Sequence, residues 1–320
     1  MTGVGTPRWM SQELKPKDHG EAIALFRSQV LGPVLCAELA GRDLARALRE
    51  LAAKRFLPPG SKVTREIAAI RGIPEGVDSI SPNRHRDIAN VNDLLDMIVR
   101  VRTVTGKPVG IKTAIGGRRF LHELCEAILR RGLDTAPDFI AVDGGEGGSG
   151  AAPQALADHM ALSIDEALPR VIDTLIEFGL RERIRVIAAG KLVTSSRAAW
   201  ALACGADFVN TARGFMFSLG CVQAMRCHQN TCPTGITTHN AKLQRGLVVE
   251  EKYLRVANYA RNLNKEIDMI AHACGLQHAR EFRREHVRLV QSGGRSEAFN
   301  MLYPYPEPFD GAPGRHGGLV

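Results

Sequence analysis

Apolar and polar positions follow helical spacing at the two ends of this chain and strand-like runs in its middle. In residues 41–54, GRDLARALRELAAK, Leu44, Leu48 and Leu51 recur at helical spacing and predict one apolar face. Residues 19–30 read as another helix, with LGPVL as the turn between the two. FLPPGSKV forms a joint, residues 64–71 predict a short helix, and GIPEGVDSISPNRHRDI predicts a loop. Residues 91–103 place Leu94, Leu95, Ile98 and Val99 on one side of a helix.

From there the rhythm is regular. Short apolar runs at 109–112, 139–142, 185–188 and 208–209 predict strands, each followed by a helix, at 120–131, 164–178, 195–204 and 215–225. Strands alternating with helices imply βαβ units and a parallel sheet. The fold class expected is α/β, with ligands at the C-terminal ends of the strands as in a β/α barrel. Residues 250–291 predict helix, and the Gly- and Pro-rich stretch 292–320 predicts an extended or disordered end.

Those strand ends carry the candidate chemistry. The run PDFIAVDGGEGGSGAAP leaves side chains almost absent where a buried strand ends, and such a turn can bring backbone amides to an anion. Lys112 closes an apolar strand, where a lysine is costly unless paired, and this favours a ligand role. Ala189-Gly190-Lys191 and Thr211-Ala212-Arg213 end the next strands, in consecutive βα units where many barrels hold a phosphate. Taken singly, Lys191 and Arg213 each read more readily as surface charges than as ligand contacts.

Cys221, Cys227 and Cys232 are separated by five and four residues, and Pro233 follows the last. Zinc sites more often use closer pairs, whereas thiolates in one short loop suit an iron–sulfur cluster. Three reduced, buried cysteines fit the spacing equally well. His228 and His239 read as hydrogen-bonding loop residues.

Composition narrows the class. An apolar fraction of 44% and a charged fraction of 24% over 320 residues are those of an ordinary globular protein. No apolar run is long enough for a membrane span or a signal peptide. Seven cysteines, an odd number, do not form a secreted disulfide framework, so a cytoplasmic location is expected. The net charge of +8 leans weakly toward anionic partners, but the basic residues are spread out and nucleic acid is not an expected partner. Residues 1–56 form a separate helical segment, compatible with a helix-turn-helix although most such pairs are packing units. The stretch from HGEAIALF to AKRFLPPG resembles the N-terminal segment of some transposases.

From Leu57 to Pro306 the chain resembles the FMN-binding domain of glutamate synthase, and most of all the shorter glutamate synthase-like proteins. The matching motifs are LPPGSKVTREIAAIRGIP, DSISPNRHRDI, GIK, DGGEGGSGAAP, LRERIRVIAAGKLVT, GADFVNTARG and GCVQAMRCHQNTCPTGI. The resemblance implies residues 57–306 as the last four βα units of a TIM barrel, after the N-terminal segment 1–56 and before a flexible tail at 307–320. It implies an oxidoreductase reducing 2-iminoglutarate, formed from 2-oxoglutarate and ammonia, to glutamate. FMN would sit at the barrel mouth with a 3Fe-4S cluster beside it. By position, Lys112 would face the flavin ring, Gly144 and Gly145 would flank flavin and substrate, and His85 would reach the mouth. Gly190, Lys191, Ala212 and Arg213 would form the phosphate loops, and Cys221, Cys227 and Cys232 would hold the cluster. An electron-donor protein or subunit is implied. Half a barrel leaves sheet edges open, so a homodimer closing the ring is also expected. The alternative is a truncated, inactive fusion whose N-terminal helices bind DNA or a partner.

Overall fold

The computed structural model describes residues 63, 65–77, 85, 87–146, 160–227 and 229–308. The expected helix pair, the transposase-like segment and the tail beyond residue 308 therefore lie outside the described residues. The chain divides into two units, Met1–Asp87 and Ile88–Val320. In the first, helix α1 (Arg65–Arg71) is followed by a turn in which Ile73 N–H donates to the Ala68 carbonyl at 3.1 Å.

The second unit opens with helix α2 (Val91–Thr105), whose start is fixed by Asn90. The Asn90 side-chain oxygen accepts the N–H groups of Asn92 and Asp93 at 2.8 and 3.1 Å, satisfying two donors that the helix itself leaves free. Four βα units follow. They are β1 (Gly110–Ala114) with α3 (Arg118–Arg131), β2 (Phe139–Asp143) with α4 (Ile164–Glu177), β3 (Arg185–Ala189) with α5 (Ser195–Cys204), and β4 (Phe208–Asn210) with α6 (Ala212–Ser218). The strands pair in the order β1-β2-β3-β4, all parallel. Four successive βα units in this order make half of the eight that close a β/α barrel.

The two faces of the sheet differ because alternate residues point opposite ways. Ile140, Val142, Val186 and Ala188 are buried in the main apolar cluster with Leu124, Ile128, Leu168, Val171 and Ile172 of the flanking helices. The other face carries Lys112, Ala141, Asp143, Ile187, Phe208 and Asn210, and Phe208 on the outer strand is 50% exposed.

At the N-terminal ends of the strands, two aspartates act as clamps. Asp138, one residue before β2, accepts the Val109 N–H at 2.8 Å and pairs with Arg102 at 2.9 Å and Arg183 at 3.1 Å. Asp207, one residue before β4, accepts the Val186 N–H at 2.8 Å and pairs with Arg181 at 2.9 Å and Arg185 at 3.1 Å. Each ties its own strand to a neighbour through one backbone donor and two guanidinium groups. Burial works to raise the Asp138 carboxyl, but the Val109 amide, Arg102 and Arg183 outweigh it and hold the group below the usual carboxylate range.

Beyond β4 the structure departs from the sequence expectation. The helix expected at 215–225 is α6, ending at Ser218, and the chain turns at Gly220 with φ 97°. After α7 (Ala241–Gln244), the long helix α8 (Val249–Ala273) packs Ile267 and Ala271 against Ala198, Ala199 and Ala203 of α5. Helix does not continue to 291, nor is 292–308 loose. A hairpin of β5 (Arg288–Val290) and β6 (Ser296–Ala298) leads into α9 (Phe299–Leu302). Two tertiary anchors hold this stretch. Phe299 is fully buried in the main cluster. Arg284, also fully buried, pairs with Asp173 of α4 at 2.5 Å and donates to the Tyr303 carbonyl at 2.9 Å. Local composition predicts a loose end; one aromatic and one buried ion pair override it.

Candidate functional site

A cavity of about 540 Å³ lies at the C-terminal ends of β1 to β4. It takes its lining from all four of the expected strand ends and from the cysteine loop. Lys112, Gly190, Lys191, Ala212, Arg213, Cys221, Cys227 and Cys232 all contribute, together with the apolar side chains of Leu192, Met216, Phe217 and Ile236.

Lys112 and Asp143 occupy the same face on adjacent strands, and Lys112 Nζ lies 2.7 Å from Asp143 Oδ2. The lysine expected to need a partner has one, supplied by the next strand. Lys112 is nevertheless 67% exposed, so its ammonium remains open to a ligand.

The Gly190-Lys191 turn and the first turn of α6, which carries Ala212 and Arg213, meet in this cavity. Gly190 has φ 150°, and a side chain there would press on Ile164 and on the Glu146 carboxylate. Lys191, next to it, has φ 48°, a left-handed conformation unusual for a residue with a Cβ. Three more such residues, Gln223, Met225 and Asn230, lie in the cysteine loop. Left-handed residues other than glycine persist where surrounding structure over-determines them, and they cluster at ligand sites.

The structure gives Gly144 and Gly145 a different task from the expected nest. Their N–H groups donate to the Ala189 carbonyl at 2.8 Å and the Leu162 carbonyl at 2.7 Å, so these amides are already used in tying the end of β2 to the end of β3 and to the approach to α4. Neither glycine lines the cavity, but both must lack a side chain: a Cβ on Gly144 would overlap the Glu146 carboxylate, and one on Gly145 the Ala161 carbonyl. The residue that faces the cavity from this turn is Glu146, which the sequence reading passed over. One of its oxygens accepts the Ile164 N–H at 2.8 Å at the start of α4. The other is buried and has no hydrogen-bond partner among the described residues. The available signal was a single acid inside a glycine run. His85 belongs to the first unit, where its Nδ1 accepts the Asp87 N–H at 3.2 Å.

The three cysteines line one cavity but do not converge. Cys221 Sγ accepts the Gln223 N–H at 3.4 Å, and Cys232 Sγ lies 3.4 Å from the Thr234 hydroxyl. Among the described residues, no group of three or more His, Cys, Asp or Glu side chains is placed to hold a metal ion. The arrangement therefore does not fit a cluster: Cys221 and Cys232 are each turned to a local donor. Burial works to raise the Cys232 thiol, but hydrogen bonds from Thr234 and Thr237 outweigh it and bring it down to about 6. Cys125, in the core, is pushed up to about 12 by burial, and burial pushes Cys204 up as well.

The cavity thus combines four cations, Lys112, Lys191, Arg213 and Arg226, with a buried acceptor and an apolar wall at the rim of a parallel βα sheet, a candidate site for an anionic, largely apolar small molecule. Residues 57–277 match the conserved region in glutamate synthase, and the chain belongs to that family. It is 47% identical over 229 residues to the glutamate synthase large subunit-like protein YerD of Bacillus subtilis, covering 71% of this chain and 43% of that protein. It is 36% identical over 247 residues to the archaeal glutamate synthase [NADPH] of Methanocaldococcus jannaschii, covering 76% of this chain and 47% of that one. The chain thus spans about half the length of these relatives. Among solved structures, a flavocytochrome b2 mutant with pyruvate bound is similar at 17% identity and TM-score 0.36, covering 75% of this chain and 49% of that chain. Among the described residues, no helix is long and apolar enough to cross a membrane.

Proposed function

We propose that the chain is an FMN-dependent oxidoreductase of glutamate synthase type, reducing 2-iminoglutarate, from 2-oxoglutarate and ammonia, to glutamate. The observation that carries this reading is the meeting of Lys112, the Gly190-Lys191 turn and the Ala212-Arg213 turn in one cavity. The residues present fit a flavin mononucleotide. Gly190 leaves room where a side chain would collide, Lys191 and Arg213 supply cations for a phosphate, and Leu192, Met216 and Phe217 offer apolar surface to a planar ring. When bound, FMN supplies two-electron hydride chemistry.

The chain's own groups have separable tasks. Lys112, held by Asp143, steadies negative charge at the ring or on a substrate carboxylate. The unpartnered oxygen of Glu146 accepts an N–H from the nitrogen-bearing substrate. No step runs through a 3Fe-4S cluster, because the three thiols do not converge. Reducing equivalents come from an electron-donor protein or subunit. For the assembly, a homodimer would pair through β1 and β4, the outer strands of the described sheet.

The test is a single turnover without oxygen. The purified chain is loaded with FMN, reduced chemically and mixed with 2-oxoglutarate and ammonium. Reoxidation of the flavin with glutamate formed supports the reading. FMN bound and reduced, with no glutamate produced, would instead favour the inactive fusion.

A further inference from the structure

Helix α8 packs on α5, yet one of its side chains reaches both ligand-side stretches of the cavity, the one after β3 and the one after β4. The Tyr259 hydroxyl lies 2.6 Å from the Val193 carbonyl, in the segment after β3, and 2.9 Å from the Thr211 hydroxyl, at the end of β4. Proton counting fixes the direction of both bonds. A carbonyl can only accept, so the single phenolic proton goes to Val193, and Thr211 must donate its proton to the Tyr259 oxygen. The chain Thr211 to Tyr259 to Val193 is therefore directional, and each link favours the next.

Three further observations show that the approach is built in. Thr211 is 7% exposed, so its hydroxyl needs a protein partner. Gly214, in the first turn of α6, lies against the phenol, and a Cβ there would overlap the Tyr259 hydroxyl. The tyrosine ring is oriented by an edge-on contact with Phe215, their centroids 5.1 Å apart. On the other side, Val193 N–H donates to the Lys191 carbonyl at 2.9 Å, so the carbonyl that Tyr259 holds belongs to the tight turn carrying the left-handed Lys191.

We propose that Tyr259 is a positioning residue. Its hydroxyl locks the Gly190–Val193 turn to the Thr211–Arg213 turn, and so sets the spacing of the two groups of donors that grip one ligand phosphate. The proposal rests on the flavin reading for the identity of that ligand, but the lock itself is a property of the chain without ligand. It acts through backbone placement, so it governs affinity for a phosphate-bearing ligand and leaves contacts to an aromatic ring unaffected.

The test has two arms on the full-length chain. Tyr259→Phe keeps the ring and its contact with Phe215 and removes only the hydroxyl. Gly214→Ala keeps the hydroxyl and displaces it. In the ligand-free protein, amide hydrogen exchange at residues 190–193 and 211–214 is expected to quicken at least several-fold in both variants, with exchange in β2 unchanged. With ligand, FMN affinity is expected to fall about tenfold, equivalent to 1.4 kcal/mol, while riboflavin affinity changes less than about twofold. Wild-type exchange rates in the Tyr259→Phe turns, or equal losses for FMN and riboflavin, would overturn the proposal. If the wild-type chain bound no FMN, the flavin reading would fail, and the lock would still stand or fall by the exchange rates.

Discussion

The same four strands end in two very different chemistries. At their N-terminal ends, Asp138 and Asp207 each take a backbone N–H and two arginines, and every one of those groups is matched. At their C-terminal ends lie a largely exposed lysine, a buried carboxylate oxygen without a partner among the described residues and left-handed residues that are not glycine. One end closes its polar network on itself and gains order. The other leaves donors, acceptors and strain in a cavity, as a site for a ligand must. The comparison teaches that ion pairs alone do not mark function. Asp143 and Asp138 both pair with cations, but of the two only the Asp143 pair lines the cavity.

The largest expected contrast concerns two thiols. Cys232, brought down to about 6 at the cavity, is mostly thiolate at neutral pH, whereas Cys125, pushed up to about 12 in the core, is not. Alkylation followed by mass spectrometry should label Cys232 at least about a hundredfold faster than Cys125, with a midpoint near pH 6. Comparable rates would erase the distinction between rim and core.

Next in size is the clamp. Asp138→Ala strands Arg102, Arg183 and the Val109 amide, and should lower the free energy of unfolding by about 2–3 kcal/mol. Denaturant titration measures it, and FMN affinity of the folded variant should be unchanged. The rim behaves oppositely. Replacing Lys191 and Arg213 together by alanine should cost about 1.5–3 kcal/mol in FMN binding, read by fluorescence titration, with little change in apoprotein stability.

The smallest effect is the most specific. The Asp138 carboxyl is lowered on folding, so its contribution is complete above the unfolded carboxylate pKa of about 3.9 and is lost as pH falls through the folded value. The stability gap between the wild type and Asp138→Asn should hold steady from neutral pH to about 5 and shrink in stronger acid. A gap that widened in acid would show that the clamp is not electrostatic.

The strand rhythm was legible because buried parallel strands are short apolar runs, and all four appear within two residues of their expected positions. The glycine turn after β3 was legible for the same reason, whereas Lys112, expected to close its strand, lies in the middle of β1. Three features were not legible, each because it depends on distant partners. Glu146 looked like punctuation in a glycine run until the start of α4 was seen to take one of its oxygens. Tyr259 lies 48 residues beyond Thr211, and no local pattern links them. Phe299 and Arg284 order a stretch whose composition reads as loose, through contacts with the main cluster and Asp173.

The measurement that bears most directly on the central claim is a paired titration of the purified, flavin-free chain with FMN and with riboflavin. If the Gly190 and Arg213 turns grip a phosphate, FMN binds at least about tenfold more tightly than riboflavin, and that preference disappears when Lys191 and Arg213 are both replaced. A folded chain that bound the two flavins equally well, or neither, would contradict the account.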